Sequence, residues 1–362
     1  MTADVVILGA SARAAAFSAL RAGLRPWCAD LFADRDLAER APVVRLTGRY
    51  PASFVEILRD QAPPVPWMYT GGLENHPKLV DRLAAIRPLW GNAGEVLRRV
   101  RCPEWLAETA VRAGLPAPRV TRGVPSVPSL VKPLRGAGGQ GIHFWKEGDE
   151  IGSKQYVQEF IEGDSVAAVY VAAGVRARLL GVTWQLVEGF RYRGSIGPLA
   201  TSDELTAMLT ALGNALASAG LRGLFGVDGV LRDGRFYPVE VNPRYTASME
   251  VLELTTGCHL LEAHRLAFAD PAALAGWQGP PRRVDRLIGK AIVFAGHDST
   301  APARSPGTWP EFADIPPAGE PVRAGQPILT VFASGAGWDE VRDELRRRAA
   351  AIDAWLSRGE QR

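Results

Sequence analysis

Residues 226–244 place two carboxylates, an amide and a guanidinium at spacings that suit a cation site. Asp228 lies in one apolar, strand-like run, and Glu240, Asn242 and Arg244 lie in a second run beyond an Asp-Gly turn. Carboxylate and amide oxygens are ligands that Mg²⁺ prefers, commonly together with phosphate oxygens. A guanidinium fork suits the charge of a phosphoryl or acyl-phosphate oxygen. We therefore expect a divalent cation and a phosphorylated species to meet at this hairpin.

The turn at Asp233 and Gly234 decides whether the two carboxylates can share a cation. Side chains alternate between the two faces of a strand, so a two-residue turn would place Asp228 and Glu240 on opposite faces. A three-residue loop with Gly234 in the left-handed conformation would place them on one face. The cation hypothesis therefore predicts the bulged, three-residue loop.

A lysine followed by a glycine-rich loop forms the second candidate site. Lys132 ends a short apolar run, and the loop after it contains Gly136, Gly138 and Gly139. An ammonium group is a compact charge for a nucleotide phosphate, and loop N–H groups can close over phosphate oxygens. The lysine precedes the glycines, so this is not the Gly-Lys-Ser/Thr phosphate loop. A glycine loop alone is more often a hairpin tip, and its meaning depends on the neighbouring motifs.

Two N-terminal segments carry polar residues that a second substrate could contact. The opening strand, turn and helix carry Ser11 and Arg13 at the start of the helix. A later strand-like run opens into a polar loop with Glu74 and Asn75. Loops of this kind line the ligand crevice of an open parallel sheet, and helix N-termini attract anions. A turn that only packs, or an ordinary helix cap, explains either segment about equally well.

A basic, glycine-hinged loop at residues 189–198 is a further candidate for substrate binding. It contains Arg193 and Ser195, and it follows a strand-like run. Such a loop could clamp an anionic substrate, although a solvated connector is the simpler alternative. Ser248 lies close enough in sequence to Arg244 to reach the same substrate.

Composition restricts the class of protein and its partners. The chain has 362 residues, of which 47% are hydrophobic and 22% charged, which predicts a globular protein of two or three domains. The formal net charge of +3 gives no argument for nucleic acid or for an acidic membrane surface. The three cysteines are far apart, and neither a signal peptide nor a long apolar run is evident, which favours the cytoplasm. The first turn lacks the Gly-x-Gly-x-x-Gly pattern, so NAD is not expected.

These motifs, taken in order, resemble the ATP-grasp superfamily. Three motifs occur in that family's order and spacing: Lys132 with its glycine loop, the run Gln-Glu-Phe-Ile-Glu-Gly-Asp at 158–164, and the hairpin at 226–244. The resemblance covers about residues 94–260 strongly and the flanks more weakly. It implies an α/β fold, with an α+β lid. The implied units are an N-terminal Rossmann-like parallel-sheet domain over 1–93, an ATP-grasp region over 94–282 with its lid at about 125–165, and a small C-terminal β-rich unit with a closing helix over 283–362.

The resemblance also assigns roles to individual residues. ATP and Mg²⁺ are the implied ligands, and Mn²⁺ is an alternative metal. The implied metal ligands are Asp228, Glu240 and Asn242. Lys132 and Arg244 are the implied catalytic residues, Arg244 stabilising the transferred phosphoryl group or an acyl phosphate. The implied ATP-binding residues are Lys132, Gly136, Gly138, Gly139, Gln158, Glu159, Phe160, Ile161 and Asp164.

Three departures from the family pattern affect details of the nucleotide site. Gln158 stands at or beside a position that is often acidic, and Asp164 is the available candidate for the ribose-binding acid. The family's upstream phosphate-binding lysine has no lysine counterpart between residues 78 and 132. Arg99 or Arg101 is the available substitute.

The predicted activity is that of an ATP-dependent carboxylate–amine ligase that forms an amide through an acyl phosphate. The implied partners are a small-molecule carboxylate and amine, with no nucleic acid and no membrane, and a homodimer is left open. The C-terminal unit and the loop before Pro77 look most like a branch linked to one-carbon cofactor pathways, which suggests glutamate joined to a methanopterin- or methanofuran-type precursor. The alternatives are a bicarbonate-activating carboxylase related to biotin carboxylase and a non-catalytic ATP-binding sensor.

Overall fold

The computed structural model describes residues 2–281 and 283–357. Residues 358–362, which the sequence assigns to the C-terminal unit, and Arg282 at its predicted border lie outside that range. Among the described residues, no helix has both the length and the apolar character that a bilayer span requires.

A four-stranded parallel sheet forms the N-terminal region, as the sequence predicts. Its strands are β1 Val5–Leu8, β2 Pro26–Asp30, β3 Val43–Arg45 and β4 Trp67–Tyr69, in the order β3-β2-β1-β4. Its helices are α1 Arg13–Arg21, α2 Arg35–Ala38, α3 Phe54–Glu56 and α4 Pro77–Ala84, with a π-helical turn at Ile57–Gln61 and a 3₁₀ turn at Leu73–Asn75. The carboxyl ends of β1 and β4 therefore open into the loops that carry Ser11 and Glu74.

Two short helices lead to a small antiparallel sheet, and three of its four strands lie in the residue range 125–165. The helices are α5 Gly94–Val100 and α6 Pro103–Arg112. The strands are β5 Val120–Thr121, β6 Ser129–Pro133, β7 His143–Phe144 and β8 Gln155–Glu159, in the order β5-β8-β6-β7. Lys132 lies near the end of β6, opposite Tyr156 of β8.

An eight-stranded sheet forms the body of the molecule, and its paired strands are antiparallel. Its first five strands in the chain are β9 Asp164–Ala173, β10 Arg176–Glu188, β11 Arg191–Gly197, β12 Gly223–Arg232 and β13 Arg235–Asn242. The helices of this region are α7 Asp203–Ser218, α8 Ala247–Thr256 and α9 Leu260–Ala269, followed by a 3₁₀ turn at Ala273–Gly276. The Ser202 side chain caps α7 by accepting a hydrogen bond from the Leu205 N–H at 3.1 Å, as its sequence position predicts.

The body sheet is covered on both faces, and α8 and α9 connect it to the N-terminal sheet. Leu209 and Leu212 of α7 pack on one face against Phe225. Met249 of α8 and Leu261 of α9 pack in one apolar core with both the body strands and α1. This shared core joins the N-terminal sheet to the strands that carry the cation-site residues.

The C-terminal strands extend the body sheet, and the last helix packs on them. The elements are β14 Leu287–Phe294, β15 Ser299–Thr300, β16 Phe312–Ala313, β17 Pro321–Val322, β18 Pro327–Gly335 and α10 Trp338–Ser357. The complete order of the body sheet is β13-β12-β9-β10-β11-β14-β18-β16, and β15 and β17 form a separate two-stranded ladder. β14 pairs with β11, so the sheet is continuous across the predicted border at residue 283.

Two sequence-based element predictions are wrong. The sequence predicts a last N-terminal strand at residues 88–92, but this segment contributes only a single bridge from Leu89 to Trp67. Residues 95–113 were expected to form one helix, but the chain turns at Arg101 and Cys102. Pro103 lacks an N–H and sits at the first position of the second helix, where that loss costs nothing.

Candidate active site

Asp228 and Glu240 are cross-strand partners on β12 and β13, so their side chains share one face of the sheet. The turn that produces this arrangement differs from the prediction. Arg232 pairs with Arg235, which leaves a two-residue turn, and both turn residues have positive φ, 50° at Asp233 and 72° at Gly234. The predicted three-residue loop is therefore wrong.

A β-bulge inside the hairpin supplies the change of face instead. Gly229 pairs with Pro238, whereas Asp228 pairs with Glu240, so Val239 is an extra residue in β13. The bulge lies directly beside the carboxylates and shifts Glu240 to the Asp228 face.

The two carboxylate oxygens of Asp228 each accept a hydrogen bond from a side-chain amide. Gln185 Nε2 donates to Oδ1 at 2.9 Å, and Asn242 Nδ2 donates to Oδ2 at 2.8 Å. Burial, reinforced by the nearby Glu240 carboxylate, raises the pKa of Asp228 to about 6. Because burial makes this carboxyl costly to ionise, a bound cation would strongly stabilise its ionised form.

Asp228, Glu240 and Asn242 fit a hard divalent cation by their chemistry. They offer carboxylate and amide oxygens, and a cation that prefers six oxygen ligands would still have positions for phosphate or water. Within the described ranges, clusters of three or more His, Cys, Asp or Glu side chains suited to a metal do not occur. Asp228, Glu240 and Asn242 are the residues here that could hold Mg²⁺ together with phosphate oxygens.

Arg244 connects the cation side of the site to the N-terminal domain. Its guanidinium donates to Asn242 Oδ1 at 3.1 Å and to Glu74 Oε1 at 2.8 Å. Burial alone would raise the pKa of Glu74, but the positive charge of Arg244 outweighs that effect and holds the pKa below its ordinary value. Glu74 is therefore an anion in a nearly dry environment, 2% exposed.

Lys132 and the glycine loop line a small cavity of about 50 Å³ beside Glu240. Lys132 donates to Gln158 Oε1 at 3.0 Å, and burial lowers the pKa of its ammonium group. The lining includes Gly136, Gly138 and Gly139, together with Arg101, Tyr156 and Glu240. The structure thus brings the predicted phosphate-binding lysine, the glycine loop and one predicted cation ligand to the same place.

Arg101 lines the same cavity as Lys132 and Glu240. It forms an ion pair with Glu240 at 2.9 Å and donates to Asn75 Oδ1 at 3.0 Å. Arg99 is instead bonded to Glu95 and to the Ala219 carbonyl at the surface. Of the two arginines, Arg101 is the one placed to meet phosphate.

The glycine loop is held closed by contacts from two directions. Asn75 Nδ2 donates to the Gly136 carbonyl at 3.1 Å, and the Tyr192 N–H donates to the Gly138 carbonyl at 3.2 Å. A side chain at Gly139, where φ is +78°, would collide with the Phe190 carbonyl. Asn75 therefore lies against the nucleotide loop, although it was predicted as a substrate contact.

The predicted adenine hinge follows the last strand of the lid. Glu159 ends β8 and accepts a hydrogen bond from the Arg119 N–H at 3.0 Å, and the Phe160 N–H donates to the Pro128 carbonyl at 2.8 Å. Ile161 lies in the link to β9, and Asp164 begins β9 with an exposed side chain. These residues are outside the lining of the small cavity.

Ser195 and Ser248 meet in a cluster of hydroxyl groups between the body sheet and α8. Their Oγ atoms are 3.3 Å apart, and Tyr192 and Thr183 bond to Ser195 and Ser248 at 2.8 and 2.9 Å. Arg193, by contrast, pairs with Glu188 and lies over the Phe294 ring at 3.8 Å. The structure joins the two predicted serines and directs Arg193 towards the outer strands.

Arg13 forms the centre of a buried ion-pair cluster. Its guanidinium contacts Glu250 on α8 and Asp314 before β17, the latter at 2.9 Å. Lys290 also donates to Glu250 at 2.9 Å, and these cations lower the pKa of Glu250 to about 2 despite its burial. All three side-chain nitrogens of Arg13 are engaged, so none faces a ligand in this arrangement.

Ser11 lies in the turn before α1, next to the loop that carries Glu74. Its carbonyl accepts a hydrogen bond from the Thr70 hydroxyl at 2.7 Å, and the Ala10 N–H donates to the Gly71 carbonyl at 3.1 Å. The Ala12 N–H at the start of α1 donates to the Asp30 carboxylate at 2.9 Å. The turn is therefore held against the segment that leads to Glu74.

Sequence reasoning missed Gln185, and it missed the ion pair that Lys290 forms with Glu250. Gln185 had a usable signal, since Thr183 and Gln185 alternate with apolar residues along one strand. Lys290 was interpreted as a strand-edge residue, but it is 4% exposed and paired with Glu250. Its partner lies 40 residues away, beyond the reach of a local pattern.

The central part of the chain matches a known family of nucleotide-binding domains. Residues 99–248 match the family model of the ATP-grasp domain, and the chain therefore carries an ATP-grasp domain. This match and the structural neighbours confirm the resemblance seen in the sequence. No curated protein sequence matches the chain significantly.

Solved structures with this fold include carboxylases and ligases. The biotin carboxylase domain of Hydrogenobacter thermophilus 2-oxoglutarate carboxylase, solved with MgADP and bicarbonate, has a TM-score of 0.75, 15% identity, and coverage of 96% of this chain and 90% of that one. L-amino acid ligase from Bacillus licheniformis has a TM-score of 0.70, 15% identity, and 96% coverage of both chains. N5-carboxyaminoimidazole ribonucleotide synthetase from Thermus thermophilus has a TM-score of 0.69, 16% identity, and coverage of 96% and 98%. At these identities the likeness establishes the fold alone.

Proposed function

We propose that this protein is an ATP-dependent ligase that joins a carboxylate to an amine through an acyl phosphate. The observation that supports this most directly is the position of Arg244. Its guanidinium bonds both to Asn242, a proposed cation ligand on β13, and to Glu74 in the N-terminal domain. A guanidinium at that point can bind a carboxylate and, later, the phosphoryl group attached to it. In this proposal the nucleotide binds on the Asn242 side of Arg244, and the other substrate binds on the Glu74 side.

On the nucleotide side, the chain's own residues neutralise and orient phosphate. Lys132 and Arg101 would bind phosphate oxygens, and the glycine loop would close over them with its N–H groups. Mg²⁺, held by Asp228, Glu240 and Asn242, would neutralise charge on the β- and γ-phosphates. Glu159, Phe160 and Ile161 would receive adenine, and Asp164 is the proposed ribose acid.

The reaction has two balanced steps. A carboxylate oxygen of the first substrate attacks the γ-phosphorus, the bond to ADP breaks, and an acyl phosphate forms. The amine nitrogen then loses a proton and attacks the acyl carbon, the C–O bond to phosphate breaks, and an amide and inorganic phosphate are released with one net proton. Arg244 would stabilise charge on the phosphoryl oxygens in both steps.

A two-dimensional screen of ADP release tests this proposal. Carboxylates and amines are varied independently with ATP and Mg²⁺, starting with glutamate as the amine and with one-carbon cofactor precursors as the carboxylates. The proposal requires ADP release that depends on both partners, and loss of that activity in Asp228→Asn. ADP release with bicarbonate in the absence of amine would favour the carboxylase alternative. ATP binding without turnover on any pair would favour a sensor.

A further inference from the structure

Two buried oxygen atoms beside Arg244 have no hydrogen-bond partner among the residues that the structure describes. They are Oε2 of Glu74 and the hydroxyl of Tyr50. A buried polar atom without a partner costs about 1–3 kcal/mol, so native proteins rarely retain one without a use. Each of these atoms therefore requires an explanation.

The Tyr50 hydroxyl and the Arg244 guanidinium border the same glycine pair after β4. A Cβ added to Gly72, where φ is +101°, would lie 2.1 Å from the Tyr50 hydroxyl. A Cβ added to Gly71 would lie 3.5 Å from the Arg244 guanidinium carbon. The Gly71–Gly72 backbone therefore lies between Tyr50 and Arg244, and a side chain at Gly72 would collide with the Tyr50 hydroxyl. Burial, and then the nearby Glu74 charge, raises the pKa of Tyr50 to about 12, which keeps its hydroxyl neutral.

The two carboxylate oxygens of Glu74 differ in their hydrogen bonding. Oε1 accepts from Arg244, while Oε2 is a free acceptor on a carboxylate that Arg244 keeps ionised. A group that satisfies Oε2 must donate a hydrogen bond, and a cationic N–H donor would be bound most strongly. The Tyr50 hydroxyl, whose pKa the Glu74 charge helps to raise, is a second acceptor without a partner among the described residues. An anion is excluded from Oε2 by like charge.

We propose that Glu74 Oε2 and the Tyr50 hydroxyl form the subsite for the nitrogen of the amine substrate. This deepens the proposed ligase function and rests on it. The subsite adjoins Arg244, which would hold the acyl phosphate, so a nitrogen bound here is beside the carbon that it attacks. The substrate class is a primary amine or ammonium compound, and its remaining atoms would extend along the loop that carries Ser11.

The test separates amine binding from acyl-phosphate formation. Carboxylate-dependent positional isotope exchange, in which the β,γ-bridging ¹⁸O of ATP scrambles, needs no amine and reports the first step. Amide formation is then measured with L-glutamate and with hydroxylamine as amine probes. The variants are Tyr50→Phe and Glu74→Gln, and the latter keeps an oxygen for Arg244 while replacing the free acceptor with a donor. Tyr237→Phe near the hairpin turn and Glu95→Gln on the surface are the matched controls.

We expect Tyr50→Phe to raise the KM for both amine probes by about fivefold to tenfold, and Glu74→Gln by more. Isotope exchange should stay within about threefold of wild type in Tyr50→Phe. Unchanged amine KM values in both variants, or an equal loss of isotope exchange and amide formation in Tyr50→Phe, would overturn the subsite while leaving the ligase intact. Absence of isotope exchange in the wild type with every carboxylate would instead refute the proposed ligase function, and the subsite with it.

Discussion

Asp228 and Glu240 face each other across β12 and β13 because one extra residue, Val239, interrupts the ladder between them and the turn. In a regular two-residue hairpin these carboxylates would point to opposite faces. The bulge places them on one face, beside the Lys132 cavity. The cation-site hypothesis therefore depends on a local irregularity of the hairpin.

The first prediction concerns the pH dependence of nucleotide binding. The pKa of Asp228 is raised to about 6, so protons compete with the cation increasingly as pH falls below that value. We expect MgATP affinity to weaken by about tenfold for each pH unit below 6, beyond the effect of the nucleotide's own protonation. Calorimetric titration between pH 5 and pH 8 would measure this. The Asp228→Asn variant supplies the baseline, because it keeps the nucleotide's protonation and lacks the carboxyl. Parallel profiles for the two proteins would contradict the assignment.

A second prediction concerns Gly229 in the bulge. A methyl group at this position would lie 2.4 Å from the Phe236 ring, which is fully buried. Gly229→Ala should therefore lower the free energy of unfolding by about 1–3 kcal/mol, and Phe236→Leu in the same chain should recover part of the loss. Urea denaturation measures both effects. Gly296→Ala, where nothing lies within 4 Å, is the control and should stay within about 0.5 kcal/mol of wild type. Additive effects of Gly229→Ala and Phe236→Leu would refute the proposed contact.

The ion-pair cluster around Glu250 leads to a stability prediction. Glu250→Gln leaves Arg13 and Lys290 without their shared anion, and breaking a buried pair in this way costs about 3–5 kcal/mol. Chemical denaturation at pH 7 would measure the loss, with Glu108→Gln on an exposed helix surface as the control. A loss no greater than that of the control would contradict the cluster's role.

The same carboxylate predicts sensitivity to acid. The folded-state pKa of Glu250 is about 2, below the ordinary 4.5, so its contribution is complete above pH 4.5 and is lost as pH falls towards 2. Thermal melting in steps from pH 7 to pH 2.5 would follow this loss. The difference in stability between wild type and Glu250→Gln should shrink across that window. A constant difference would show that Glu250 ionisation is not the source.

Arg244 is the residue whose removal should affect turnover most selectively. Arg244→Ala should lower the rate by about 10²–10³ if the guanidinium acts as a donor to developing charge. Arg244→Lys should recover little, because a single ammonium cannot reach both Asn242 and Glu74 in the fork geometry. ADP release under saturating substrates is the measurement. A turnover rate unchanged by Arg244→Ala would remove it from the mechanism.

Motif order in the sequence was sufficient to predict the ATP-grasp fold, and local pattern was sufficient for much of the N-terminal sheet. The hairpin shows the limit. Alternation required an irregularity in the hairpin, but the spacing placed it at the turn, whereas the structure places the extra residue at Val239. Arg13 shows a second limit, because its partners Glu250 and Asp314 lie 237 and 301 residues away. A helix N-terminus with an arginine predicts an anion, and here the anions belong to the protein itself.

The fate of the substrate's carboxylate oxygens tests directly whether the reaction passes through an acyl phosphate. The carboxylate that supports ADP release is labelled with ¹⁸O on both oxygens, and the products are analysed by mass spectrometry. An acyl-phosphate ligase transfers one labelled oxygen to inorganic phosphate and keeps the other in the amide. Each phosphate released in coupled turnover is therefore expected to carry one ¹⁸O. Unlabelled phosphate, with both labelled oxygens still on the carboxylate product, would contradict it.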